Sequence, residues 1–315
     1  MFNPAIINTV AQDLANLRCD LSSHWVTEST FIPATLSLCA DGIAIRNIIE
    51  NRALRLELST LSRNAFDFTY AVKLAETYLS ERLEMEDDPD SISFIEQIIA
   101  NLQPIGSHFE FFQVQLFEEA DCLLQRSHRT CPYAITLETK ELTRTSKENR
   151  AEDALSLRRV VYDQSEQLAR LASIYKACEA IYLNSCDRFG VEKQDHFSAA
   201  CWDMFRYALG ELTSIFRDPS RAAEKEWIGV AIAHQASSGN EHLEFDLNED
   251  VFIPFRRLDL GRKHGKKRNF ICSITINSSV LPSNAEVGMR AFLGKNSLFQ
   301  VIVNNVTSQG RKFLV

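Results

Sequence analysis

The sequence predicts an α+β fold in which long helices are set between two groups of strands. Two observations carry that expectation. Strand-like stretches gather before residue 138 and again after Pro219, while apolar residues from about 152 to 216 recur at helical spacing. No self-similarity with a period of about 20 to 50 residues exists, which excludes a solenoid. The chain has 315 residues, 45% of them apolar and 24% charged, enough for a sizeable core and too apolar for wholesale disorder. One domain over 1–315 is expected, with a helical extension at 1–32 and a helical insertion at 152–216.

In chain order, 3–19 reads as a helix. A strand at 33–39 runs into Asp41, which is placed to cap a short helix ending near Asn51 through Ile43, Ile45, Ile48 and Ile49. Alternation at Leu54, Leu56 and Leu58 predicts a half-buried strand. A helix follows over 66–84, with Val72, Leu74, Ala75, Tyr78 and Leu79 inward. Pro89 and the six acidic residues between Glu81 and Asp90 interrupt it, and 91–102 is helical again. Phe109, Phe111, Phe112, Val114 and Leu116 predict a strand, as do Tyr133, Ile135 and Leu137.

The longest helical stripe spans about 152–186 through Leu157, Val161, Leu168, Leu171, Ile174, Cys178, Ile181 and Tyr182. A second helix over 193–216 carries Trp202, Phe205, Leu209, Leu212 and Phe216. Then Trp227–Ala233 reads as a central strand, and Val251–Phe255 as an edge strand, because Pro254 cannot donate to a ladder. Ile271, Ile274 and Ile276 mark another strand, 284–293 a short helix, and Phe299–Val303 the closing strand.

Forty-two acidic against thirty-four basic residues leave a net charge of -8, which argues against a general nucleic-acid binder. Arg262, Lys263, His264, Lys266, Lys267 and Arg268, interleaved with glycines, are the local exception. They read either as a solvated loop or as a contact for phosphates. The eight cysteines form no CxxC pair and stand at no metal-ligand spacing with histidine, so no metal site is expected. Most read as small buried hydrophobes in a reducing compartment. With no apolar run long enough for a membrane span and no secretory pattern at Met1–Leu21, a soluble cytoplasmic protein is expected. Nucleophile-elbow and Walker motifs are absent.

A series of short motifs in order resembles a bacterial family known as domain of unknown function 2971. Leu36-Ser37-Leu38-Cys39-Ala40, then Ile48–Leu56, resembles its opening strand, helix and strand; Ser59–Asn64 resembles its next element. Glu118–Gln125 is similar to its Ser-Glu-x-x-Asp-x-Leu-Ser-Gln-Trp segment, and Pro132-Tyr133-Ala134-Ile135 to its Gly-Tyr-Ala-Ile strand. Glu224-Lys225-Glu226-Trp227 resembles Glu-Arg-Glu-Trp-Arg, and Ile253-Pro254-Phe255 resembles Ile-Pro-Tyr. The likeness spans roughly 36–310.

That family looks like a distant relative of the ADP-ribosyltransferases, whose NAD pocket uses a His on an early strand and a Glu on a later one. The resemblance implies an ADP-ribosyltransferase-like mixed sheet, NAD as co-substrate and a macromolecular acceptor, in a toxin or defence role. It places Leu38, Cys39, Asn64 and Trp227 at cofactor-binding positions, and Glu226 and Gln125 at catalytic ones. Departures accompany the matches. Leu38 stands where the family has His, Cys39 replaces Tyr, and Asn64-Ala65 replaces Asn-Asp. Phe117, Arg126 and Ile228 stand at the family's Ser, Trp and Arg.

Glu226 therefore has two readings. As a pocket carboxylate it would stabilise the positive charge that develops when a glycosidic bond loosens. As an ordinary Glu it would pair with Arg221 or Lys225. His24 offers a second placement for the early His, and His234 reads as a structural histidine at a strand end. Two functions stay open: an NAD-dependent transferase, and a catalytically silent member that binds protein or nucleic acid.

Overall fold

The structure, a computed structural model, describes residues 11–20, 32–58, 65–102, 109–118, 131–140, 142–143, 155–189, 194–234, 243–248, 251–260, 269–282, 284–307 and 310–312. Asn64, Gln125, His24 and the basic run Arg262, Lys263, Lys266, Lys267 and Arg268 lie outside them.

After helix α1 (11–20), strand β1 (Thr35–Ala40) meets Asp41, whose carboxylate accepts from the Ala44 N–H at 2.7 Å and starts α2 (Gly42–Arg46). A π turn, Asn47–Asn51, ends where Arg52 enters the left-handed region at φ 51° and releases β2 (Ala53–Leu58). Helix α3 (Ala65–Glu84) is followed by α4 (Pro89–Ala100). Asp88 caps α4 through the Ser91 N–H at 2.8 Å, and Pro89 occupies its first turn, where no N–H is needed. The last of the acidic run is thus a helix start as well as a solvated turn.

Strands β3 (Phe109–Phe117), β4 (Tyr133–Glu138) and β5 (Ser156–Arg159) precede the long helices α5 (Gln164–Phe189) and α6 (Gln194–Ile215). A 3₁₀ turn, Pro219–Glu224, leads into β6 (Glu226–His234). Strands β7 (Leu243–Asn248), β8 (Val251–Asp259) and β9 (Ile271–Asn277), helix α7 (Ala285–Lys295), and strands β10 (Ile302–Thr307) and β11 (Gly310–Lys312) complete the chain order. The eleven strands form one mixed sheet ordered β11-β10-β9-β4-β1-β3-β2-β8-β7, with β6 on β3 and β5 on β6. Only β9 and β10, joined through α7, run parallel among the pairs described. The α+β class is therefore observed, with α5 and α6 lying between strand groups in the sequence.

Strand β6 pairs with β3 along its full length, so β1 and β2 share β3's other edge in succession. The sheet divides there into two wings. Between the wings lies an apolar core of Leu36, Leu38, Leu54, Leu56, Leu116, Ile135, Trp227 and Ile274, closed by residues of α2, the π turn and α7. On the opposite face of β6, α3 to α6 build a second core around Phe94, Tyr175, Tyr182, Phe205 and Phe216, with Ile228 and Val230 as its floor.

Three local expectations are corrected. The helical stripe assigned to 152–186 begins as a strand: Leu157 pairs with Gly229 of β6, and Val161 bridges to Phe216. Leu157 and Val161 are four apart, as on a helix, but the open edge of β6 captures Leu157 and the chain leaving α6 captures Val161; Asp163 starts the true helix by accepting from the Glu166 N–H at 2.9 Å. Strand β8 is interior, because β7 covers it. Pro254 is accommodated since the pairing with β2 stops at Phe255, one residue short of it. The closing strand begins at Ile302; Phe299 belongs to the preceding turn and is 81% exposed.

Candidate functional site

The α6–β6 connection builds the most polar part of the interior. Asp218 accepts from the Ser220 N–H at 2.8 Å and starts the 3₁₀ turn; Lys225, left-handed at φ 46°, then swings the chain into β6. This reversal returns Glu226 toward Arg217, nine positions earlier in the chain. Both are almost fully buried. The Glu226 carboxylate stands 3.6 Å from the Arg217 guanidinium and 3.5 Å from that of Arg221, which also holds Glu224 at 2.8 Å. The Tyr162 hydroxyl donates to the carboxylate at 3.5 Å and accepts from the Glu226 N–H at 3.2 Å. Burial, and then the negative charge of Glu226, push the Tyr162 phenol well above its ordinary range.

The surrounding backbone is tied in by Gln167. Its amide donates to the carbonyls of Val161 at 2.7 Å and Arg217 at 2.8 Å, and its carbonyl accepts from Tyr70 at 2.9 Å. Farther along the same seam Arg158 on β5 pairs with Glu211 on α6 at 3.3 Å and donates to Ser214. Tyr207 donates to Glu211, and burial followed by the Glu211 charge raises its phenol too. A layer of paired charges thus runs between the helices and the sheet.

Register decides which predicted residues meet. Ser37 lies opposite Phe117, and Phe117 opposite Glu226, so these three share one face in a row. Ser37 and Glu226 are two strand spacings apart, roughly 10 Å. Side chains alternate along a strand, so Leu38 and Trp227 face the other way, into the apolar core between the wings. The indole N–H of Trp227 donates to Glu118 at 3.0 Å. Leu38 and Trp227 are thus brought together, and Glu226 is separated from both by the thickness of the sheet.

Cys39, which the resemblance placed at a cofactor-binding position, is bonded to another cysteine. It is exposed and forms a disulfide with Cys131, whose Cα lies 5.9 Å away. Cys178 and Cys201 are buried thiols on the helical side, and burial raises the Cys178 thiol well above its usual value. His234 is the last residue of β6.

Sequence reasoning singled out Glu226 and missed Arg217, Tyr162, Arg158 and Glu211. One signal was available for Arg217: the Asp218-Pro219 pair after a helix marks a chain reversal that returns the next strand to the helix end. The partnership of Arg158 with Glu211 joins residues 53 positions apart and left no local trace.

The residues present do not fit NAD in the manner the resemblance implies. A pocket needs positions 38 and 226 on one cleft; here Leu38 is core and the Glu226 side chain is 0% exposed beneath two guanidinium groups. Among the described residues no group of three or more His, Cys, Asp or Glu is placed to hold a metal ion. Nor, among them, is any helix long and apolar enough to cross a membrane. Compared with family models, with curated proteins and with solved structures, the chain has no match.

Proposed function

We propose that the chain is a catalytically silent protein of ADP-ribosyltransferase-like ancestry that works as a binding module. The observation that carries this reading is the enclosure of Glu226. A carboxylate stabilises a developing cation only if its field reaches the reacting atom. At Glu226 that field is neutralised by Arg217 and Arg221, and no solvent reaches the side chain. The missing early His, replaced by a core leucine, supports the same reading.

The partner we propose is nucleic acid, engaged through phosphate contacts by Arg262, Lys263, Lys266, Lys267 and Arg268. This run follows β8 after Leu260 and Gly261 and concentrates positive charge in a chain of opposite net sign.

Calorimetric titration and a nicotinamide-release assay test the silent reading. No heat and no turnover are expected at millimolar NAD; turnover that disappears in Glu226→Gln would instead establish the transferase. Fluorescence anisotropy with a labelled oligonucleotide tests the partner. Binding that weakens steeply with salt is expected, with a smaller salt slope after reversal of the five charges. An unchanged slope moves the partner class to protein.

A further inference from the structure

We infer that Cys39–Cys131 is a reversible redox staple, and that its state sets how firmly the β1–β4 wing is held. The two residues are 92 positions apart, and the chain between them contains β2, α3, α4 and β3. This one bond therefore constrains a long stretch of unfolded chain while adding little to the folded contacts.

Three observations make it reversible. Cys39 lies on the exposed side of β1, within reach of an attacking thiolate, whereas Cys131 is 2% exposed. The Cys131 sulfur lies beside the Tyr133 carbonyl oxygen, which can accept a thiol proton once the bond is reduced. The backbone beside it is anchored independently of the sulfur. The Asn277 side-chain amide donates to the Cys131 carbonyl at 3.1 Å, and its N–H donates to that of Pro132 at 2.9 Å. Six register pairs also join β1 to β4 in an antiparallel ladder, so the wing keeps its pairing with or without the bond. Cys19, Cys178, Cys201 and Cys272 are thiols.

The exchange balances as follows. A small thiol such as glutathione attacks the Cys39 sulfur as its thiolate, and Cys131 leaves as a thiolate that takes up a proton. A second glutathione resolves the mixed disulfide, so two protein thiols and one glutathione disulfide result. Glutathione disulfide drives the reverse reaction.

The native protein is equilibrated across a series of glutathione to glutathione-disulfide ratios, trapped with a mass-tagged maleimide, and mapped by peptide mass spectrometry. Cys39 and Cys131 are expected to pass together from untagged to tagged while the circular dichroism spectrum stays native and Cys178 and Cys201 stay untagged. The thermal midpoint of the reduced protein is expected to fall by roughly 5 °C. The variant C39S/C131S should melt at the reduced midpoint at every ratio. A pair that stays oxidised in excess glutathione would make the bond a permanent brace and overturn the inference. So would a pair that never forms in excess disulfide, a loss of native spectrum on reduction, or a midpoint that ignores redox state.

Discussion

The two faces of β6 are made by alternate residues of one strand, yet they face different environments. Trp227 and Ala231 enter a core between the wings that is almost wholly apolar. Glu226, Ile228 and Val230 face the helices, where buried ion pairs and glutamines lie among the apolar groups. The apolar face depends on area and shape. The helical face depends in addition on each charge finding its partner, because a lone ion there loses its hydration without recompense. The difference explains how a glutamate singled out by motif can sit in a structural pairing. Its neighbours on the seam have made it one half of an ion pair.

The largest effects separate the two faces by rescue. Trp227→Ala and Glu226→Ala should each cost about 3–5 kcal/mol in urea unfolding, the first by leaving a cavity and the second by leaving Arg217 buried without its carboxylate. Removing both charges, as Glu226→Leu with Arg217→Met, should recover most of the second loss. A Glu226→Ala cost as small as that of a surface ion pair would break the comparison.

Gly229→Ala should cost about 1–3 kcal/mol, because a Cβ there would meet the Val114 Cγ1 at 2.9 Å and Leu155 at 3.1 Å on the apolar side. Relief by Leu155→Val would tie the cost to that packing; no relief would assign it to the strand backbone.

The smallest effect is absent at neutral pH and appears in alkali. Tyr162, Tyr175 and Tyr207 all lie on the helical side, and burial raises each of them first, followed by Glu226, Glu179 and Glu211. A value raised in the folded state means that folding favours the neutral phenol. That contribution is complete below the ordinary value of 10.0 and is lost as pH rises through the folded values above it. Urea midpoints should therefore hold to about pH 10 and fall beyond it. Tyrosinate absorbance rising before any loss of stability would show that these phenols ionise in the folded chain.

Much of the fold was legible locally. Asp41 as a helix cap, the alternation of Leu54 and Leu56, and the stripe from Leu168 to Tyr182 needed no distant information, because caps and periodicity are written within one or two turns of chain. Two of the misread elements depended on a distant partner. Leu157 joined a strand because β6 offered an edge, and Val251–Phe255 became interior because β7 lay beside it. At the candidate site, Glu226 could be singled out by motif, and an ion pair with Arg221 was one of its two readings. Tyr162, which helps close it in, could not, and Arg217 was signalled only by the chain reversal at Asp218-Pro219.

By itself the sequence determined the α+β class, the order of most elements and the acidic balance with one basic run, since composition and local periodicity suffice for these. Tertiary structure alone decided which face each residue of β6 serves and which charges are joined. Strand register is set by pairing between residues far apart in the chain, and a shift of one residue exchanges the two faces. That register puts Ser37, and leaves Leu38 off, the face of Glu226.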